Sequence, residues 1–464
     1  MSVSLRENYK GKFKDERISK RANKLSALLF FGGSVSLHKI SNRDAELKAG
    51  YRLLRNRRFQ EDTLIETVVE KSAFLSEGRE VLVVQDTTEI NLNKHRGRLK
   101  ASHGIGLTGN NHDKGFFLHC SIVLDAKSLS IFGFSAVKVW HRPEDKADKE
   151  RRDYKNLPIS KKESSKWIDA SEGSKKHLSK ARSITIIEDR EGDIFEQFAQ
   201  VPDERTNLII RSRDNRNLAD GGKLFERLKG SPVAGSYHID LVKDIRKGIE
   251  KQTIEVAVRF CQVSIARPKR LKSNILPDSI KLYAVEVRQI DGPDEGGVLW
   301  RILTTCRVES YQQAFAIVNK YRQRWHIEQL FRLLKKKGFD IESSELETGW
   351  AIRKLTVMTL NTALRVMQLK LAYKNEESQP ITEVFNEDEI SCLQAANASL
   401  EGHTPKTRNS SNPQTLAWAS YVIGRLGGWK PFDSRPPGPI IMKRGLDRFE
   451  TLYQGWKLGR KNVS

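Results

Sequence analysis

Two short stretches limit what this chain can fold into more than any others. Glu80-Val-Leu-Val-Val-Gln-Asp86 and Ser183-Ile-Thr-Ile-Ile-Glu-Asp189 are near-continuous apolar runs, each closed by an aspartate. Neither alternates polar with apolar residues, so neither suits a strand with one wet face. Both read as strands buried on both sides at the centre of a sheet. Asp86 is followed by Thr87-Thr88, and Asp189 by Arg190-Glu-Gly-Asp193. An aspartate in that place is an ordinary former of the turn after a strand. Its use twice after the same apolar design makes Asp86 and Asp189 candidate functional carboxylates as well.

A third acid stands in a different setting. Tyr321-Arg-Gln-Arg-Trp-His-Ile-Glu-Gln-Leu-Phe-Arg-Leu-Leu-Lys335 holds no Pro or Gly and stops at Gly338. Upstream, Ser310 with Gln313 three residues on has the form of a capping box. The expectation is one long helix. At ~100° per residue, Arg324, Glu328 and Lys335 share a stripe about 60° wide beside Tyr321. Ile327, Leu330 and Leu334 fall on the far side, where they can pack. A salt-bridged surface helix would group the same charges.

Bulk composition sets the partner class. The 464 residues carry a formal charge of +23, with 81 Lys and Arg against 58 Asp and Glu. A surplus of that size suits a polyanion, nucleic acid first, because each phosphate contact releases counterions. The cations are spread along the chain, which argues against a membrane-surface helix. No apolar run approaches the ~20 residues of a membrane span, and the first residues do not read as a secretory signal. Cys120, Cys261, Cys306 and Cys392 show no metal-ligand spacing and read as buried thiols of a reducing compartment.

Taken in order, the chain changes character several times. Residues 1–75 suit three basic helices, near Asp15–Phe30, Asn42–Arg55 and Glu61–Lys71. The cluster Arg55-Asn-Arg57-Arg58 between the last two fits a DNA-binding module or a solvated cap. Strands are expected at Phe116–Leu124, Ser130–Trp140 and Leu208–Arg211. The loop Lys94–Lys114 suits a place near DNA. A charged stretch, Arg142–Lys162, leads into helix as far as Lys180. Alternating strands at Ile254–Phe260 and Lys281–Arg288, with Val298–Leu303, form an antiparallel β unit; the loop Gly292–Gly297 lies between the last two. Helices follow at Trp350–Tyr373, within 380–400, at Gln414–Arg425 and at Gly445–Trp456.

Three carboxylates far apart in sequence would repel one another if they met. Two Mg²⁺ ions would remove that penalty and could drive an in-line phosphoryl displacement. Tyr321, Arg324, Glu328 and Lys335 resemble the Y-x₂-R-x₃-E-x₆-K signature of the insertion-sequence-four group of bacterial DDE transposases. Shorter stretches are similar too: Asp86-Thr-Thr, Lys114-Gly-Phe-Phe-Leu-His-Cys-Ser, Trp140-His-Arg-Pro, Glu163-Ser-Ser-Lys-Trp167, Asp189-Arg-Glu and Leu426-Gly-Gly.

The resemblance implies an α/β fold with an RNase H-like mixed-sheet catalytic core (76–211 and 306–345). An antiparallel β subdomain (212–305) would be inserted into it. A helical DNA-end-binding domain (1–75) and a helical dimerisation region (346–464) would flank it. It implies Asp86, Asp189 and Glu328 as the triad holding two Mg²⁺, with Mn²⁺ able to substitute. Tyr321, Arg324, Lys335, Arg332 and Arg211 would grip DNA phosphates. Trp300 would stack on a flipped base; read without the resemblance, it also suits a sheet core.

The implied activity is cut-and-paste transposition through a hairpin end. The partners would be transposon end repeats, target DNA and a second copy of the chain, in the bacterial cytoplasm at the nucleoid. A non-catalytic DNA-binding relative and a simple metal-dependent nuclease remain the alternatives. The segment Phe339–Thr348 departs from the family, with Asp340, Glu342, Glu345 and Glu347 where relatives carry basic DNA contacts.

Overall fold

The computed structural model describes residues 6–95, 97–99, 104–143, 157–241, 252–271, 275–292, 297–335, 338–402, 404–432 and 435–461. Parts of the expected DNA-side loop Lys94–Lys114, of the charged stretch Arg142–Lys162 and of the Gly292–Gly297 loop lie outside those residues.

In chain order the elements are α1 (Glu16–Gly32), α2 (Leu37–Ile40), α3 (Asp44–Arg55), α4 (Glu61–Leu75), β1 (Glu80–Asn91), β2 (Gly106–Leu107), β3 (Lys114–Asp125) and β4 (Ile131–Trp140). There follow α5 (Ser165–His177), β5 (Ser183–Glu188), α6 (Phe195–Gln200), β6 (Thr206–Arg211), α7 (Leu224–Gly230), β7 (Val233–Leu241), β8 (Gln252–Ala266), β9 (Ser279–Gln289) and β10 (Leu299–Thr304). The chain closes with α8 (Tyr311–Arg322), α9 (Trp325–Lys335), α10 (Gly349–Ala372), α11 (Glu387–Leu400), α12 (Leu416–Leu426) and α13 (Pro439–Lys461). The architecture is a mixed α/β fold: a large mixed sheet with flanking helices.

The chain divides into two compact units. One comprises 80–86 and 147–325. Its strand order is β1-β5-β6-β10-β9-β8-β7. The two apolar runs do pair, side by side and parallel, with Val84 opposite Ile187. β5 and β6 are also parallel. From β6 onward the pairing turns antiparallel, beginning with Ile302 opposite Arg211. The strands expected as an antiparallel β unit at 212–305 continue this sheet: β10 hydrogen-bonds to β6 and extends it. α7 and β7 in that segment are not anticipated by the sequence pattern.

The other unit comprises 1–79, 87–146 and 326–464. Here β4 pairs antiparallel with β3 through a bulged register. α10 is buried almost all round, and α1, α3, α4, α12 and α13 pack on it. A helix enclosed in this way must pair its polar residues. Arg365 accordingly meets Glu389 at 3.1 Å, and Arg353 forms an ion pair with Glu61. Among the described residues, no helix is long and apolar enough to cross a membrane.

Three local expectations change. β1 does not end at Asp86 but runs on to Asn91. The last helix begins at Pro439 rather than Gly445, with proline in the first turn, where its missing N–H costs nothing. The four thiols are free, but only Cys120 and Cys392 are buried; Cys261 and Cys306 are half-buried.

Candidate active site

Register brings the two aspartates together. Asp86 and Asp189 each lie two residues beyond the Val84–Ile187 pair. On adjacent parallel strands ~4.8 Å apart, that places both on the same face of the sheet, level with the carboxyl end of β5. Asp189 turns the chain as well: its Oδ1 accepts the Glu191 N–H at 2.8 Å and caps a short 3₁₀ turn, Arg190–Gly192. Gly192 is needed there. A Cβ at that position would stand 2.1 Å from Glu188 Oε2.

The residues just before the aspartates point to the opposite face, into the core. Gln85, Glu188, Ser171 of α5 and Gln197 of α6 are all fully buried. Ser171 Oγ donates to Glu188 at 3.2 Å and accepts from Gln85 at 3.1 Å and from Gln197 at 2.8 Å. Burial raises the Glu188 carboxyl far above its ordinary range, and Asp189 adds to the effect. One hydroxyl thus ties the middle of β1 to the end of β5 beneath the two acids. An acid inside an otherwise apolar run, as in Ile-Ile-Glu188, was the available signal for this network, because a buried polar group must be bonded.

On the outer face, Arg324 Nη1 reaches Asp86 Oδ2 at 3.2 Å, with both side chains only 17% exposed. Burial raises the Asp189 carboxyl, helped by the Glu191 charge and opposed by the Glu191 N–H, Arg324 and Lys166. Tyr321 is buried beside the same groups. Its hydroxyl is raised by burial, while Arg324 and Arg211 pull it back and Asp189 pushes it further. Arg211 is lowered by its own burial and by the nearby Arg190 and Arg324 charges, with Tyr321 opposing. Its Nη2 donates to the Leu299 carbonyl at 3.0 Å. Trp300 packs edge-on against Tyr321, ring centroids 6.2 Å apart. Tyr321, Arg324, Arg211, Trp300, Asp86 and Asp189 therefore share one neighbourhood. Arg190 and Lys166, which sequence reasoning did not single out, belong to it.

The expected single helix is two. α8 starts at Ser310, whose Oγ accepts the Gln313 N–H at 3.3 Å. The reciprocal bond goes to Glu309 N at 2.7 Å instead of Ser310 N. The helix then breaks at Gln323–Arg324, where the N–H groups of both residues bond three residues back, to Lys320 and Tyr321. The tightened turn ends the regular 100° progression, so the single stripe through Tyr321 and Lys335 does not hold across it.

α9 carries the remaining candidates, in the helix-rich unit. Glu328 is half-buried and Arg332 exposed. Lys335 Nζ lies 3.4 Å from Thr88 Oγ1 and 3.7 Å from Glu342 Oε1. Glu342 also accepts the Asn91 N–H at 3.1 Å. Farther along the acidic segment, Glu347 pairs with Arg55 at 2.8 Å. Two cations expected to face phosphate are thus partly compensated by the acids that set this chain apart from the family pattern. Arg57 and Arg58 are exposed.

Among the described residues, no group of three or more His, Cys, Asp or Glu side chains is placed to hold a metal ion. Asp86 is engaged with Arg324 instead. The donor chemistry still fits a hard divalent cation: carboxylate oxygens only, one of them destabilised in its charged form by burial.

No protein-family model matches the chain. Among solved structures the chain is similar to a piggyBac transposase in a synaptic complex with hairpin DNA. The TM-score is 0.34 at 11% identity, covering 75% of this chain and 65% of that one. The chain thus spans just under two thirds of the length of that structure, and no residue role is carried across from it.

Proposed function

We propose that the chain is a cut-and-paste DNA transposase with an RNase H-like core. Asp86, Asp189 and Glu328 would hold two Mg²⁺ ions. The observation that carries this reading is the parallel register that sets Asp86 beside Asp189, with Arg324, four residues before Glu328, already drawn to Asp86. Bound ions would supply Lewis-acid activation of an attacking oxygen and neutralise charge on the leaving one.

The chain's own residues would do the positioning. Arg324 and Arg211, with the Tyr321 hydroxyl between them, would orient the scissile phosphate. Arg332 and Lys335 would hold the flanking strand, the latter by exchanging Glu342 for phosphate. Trp300 would stack on a flipped base beside Tyr321, letting the strand bend into a hairpin. Arg57 and Arg58, and Arg55 once released from Glu347, would contact the terminal repeats. Two copies of the chain would pair the two transposon ends. Water would nick an end, the freed 3′-hydroxyl would attack the opposite strand, and water would reopen the hairpin before joining to target DNA.

A second reading has one observation in its favour. The Arg324 guanidinium already neutralises Asp86, as suits a DNA-binding relative that does not cut. Purified protein with Mg²⁺ and DNA carrying the inverted repeats that flank the gene separates the readings. Hairpin and strand-transfer products support a transposase, nicks alone a nuclease, and binding without cleavage the second reading. Glu328→Ala is expected to abolish cleavage while leaving end binding within a few-fold of wild type; failure to bind at low salt would remove Glu328 from its assigned role.

A further inference from the structure

Trp300 and Arg301 are consecutive on β10 and so face opposite sides of the sheet. On the Arg301 side, Glu286 of β9 is fully buried. The register sets Arg259 of β8 and Arg301 of β10 directly opposite it, one on each flank. Three guanidiniums converge on this carboxylate: Arg301 Nε at 2.8 Å, Arg288 Nε at 3.4 Å and Arg259 Nη1 at 3.6 Å. Arg301 is also held over the Phe225 ring of α7, 3.9 Å from its centroid.

One guanidinium suffices to neutralise a buried carboxylate. The other two leave this small region with an excess of positive charge. Among the described residues, Arg259 Nε is buried without a hydrogen-bond acceptor, which is costly for a charged donor. Glu226, a second acid near Arg301, is exposed and bonded to Asn215, with Lys223 beside it. The three arginine side chains keep 22%, 31% and 17% exposure for Arg259, Arg288 and Arg301, so an anion can reach them.

We infer that Arg259, Arg288 and Arg301 form a second phosphate-binding site, for the backbone of duplex DNA, on the sheet face opposite Trp300. The inference rests on the DNA-binding part of the proposed function but not on cleavage. Guanidinium forks match phosphate geometry. Glu286 and Phe225 hold these forks in place beforehand, so little side-chain freedom is given up on binding. The surplus of +23 over the chain suits the same partner.

The test is fluorescence anisotropy of the full-length protein on a short duplex, across about 50 to 200 mM salt. Arg288→Ala and Arg259→Ala are each expected to make log affinity less steep in log salt, by about 0.9 for every phosphate that is no longer neutralised. Arg288→Lys, which keeps the charge, should retain most of the slope. Slopes equal to wild type in natively melting alanine variants would overturn the inference. If Arg259→Ala does not fold, Arg288→Ala, at the most exposed of the three, decides alone. Inorganic phosphate that stabilises wild type but not Arg288→Ala, with the DNA slope unchanged, would reassign the site to a free anion and overturn the DNA reading. The expected slope change without Mg²⁺-dependent cleavage would sink the transposase reading and leave this site standing.

Discussion

Burial raises the Asp189 carboxyl from its ordinary value, and that has a sign for stability. An acid whose folded pKa lies above its unfolded one contributes stability that is complete below the unfolded value. That contribution disappears as pH rises through the folded value. Ionised Asp189 therefore opposes folding. Asp189→Asn is expected to melt a few degrees above wild type near pH 7 and to lose that advantage in acid. Added Mg²⁺ or Mn²⁺ should reverse the order. An ion at about a hundredfold excess over its Kd stabilises the folded state by about 2.7 kcal/mol, and only wild type should respond. Equal melting shifts in both proteins would take Asp189 out of the metal-holding set.

At the scale of elements, the two acids are only as well placed as the strands beneath them. β1 and β5 share backbone hydrogen bonds up to the Val84–Ile187 pair. Past that pair β1 and the end of β5 are joined through Ser171. Ser171→Ala would remove the buried hydroxyl that accepts from Gln85 and donates to Glu188, while Gln197 keeps Glu188 as an acceptor. The expected loss is about 1–3 kcal/mol of unfolding free energy, read by urea denaturation. A change under about 0.5 kcal/mol would be that of an ordinary surface substitution and would mean that packing alone sets the register. The break between α8 and α9 also belongs to this scale. Tyr321 and Arg324 are bound to the sheet by Arg211 and Asp86. α9, beyond the break, buries Ile327, Leu330 and Leu334.

Across the whole molecule, the charge surplus is not uniformly available to a polyanion. Arg55 is compensated by Glu347 and Lys335 by Glu342, whereas Arg57 and Arg58 are exposed. Replacing Arg57 and Arg58 together by Ala should flatten the salt dependence of DNA affinity by about 0.9 for each phosphate left without its cation. Arg55→Ala should do less, since its charge is already partly spent within the fold. Titration of DNA binding against salt separates these outcomes. An Arg55 effect as large as that of the pair would show that the Glu347 contact opens freely in solution.

Residue order alone makes the central strands, most helices and the candidate acids legible. Unbroken apolar runs such as Val81–Val84 and Ile184–Ile187 have few places to go but a sheet interior, and helical periodicity reports local energetics. It takes the folded chain to show that Arg324 faces Asp86, that the 212–305 strands extend the central sheet, and that Lys335 meets Glu342. The folded chain also shows that three arginines crowd one buried glutamate. Each of these depends on groups distant in the chain competing for a single partner, and such competition leaves no periodic trace in the order of residues.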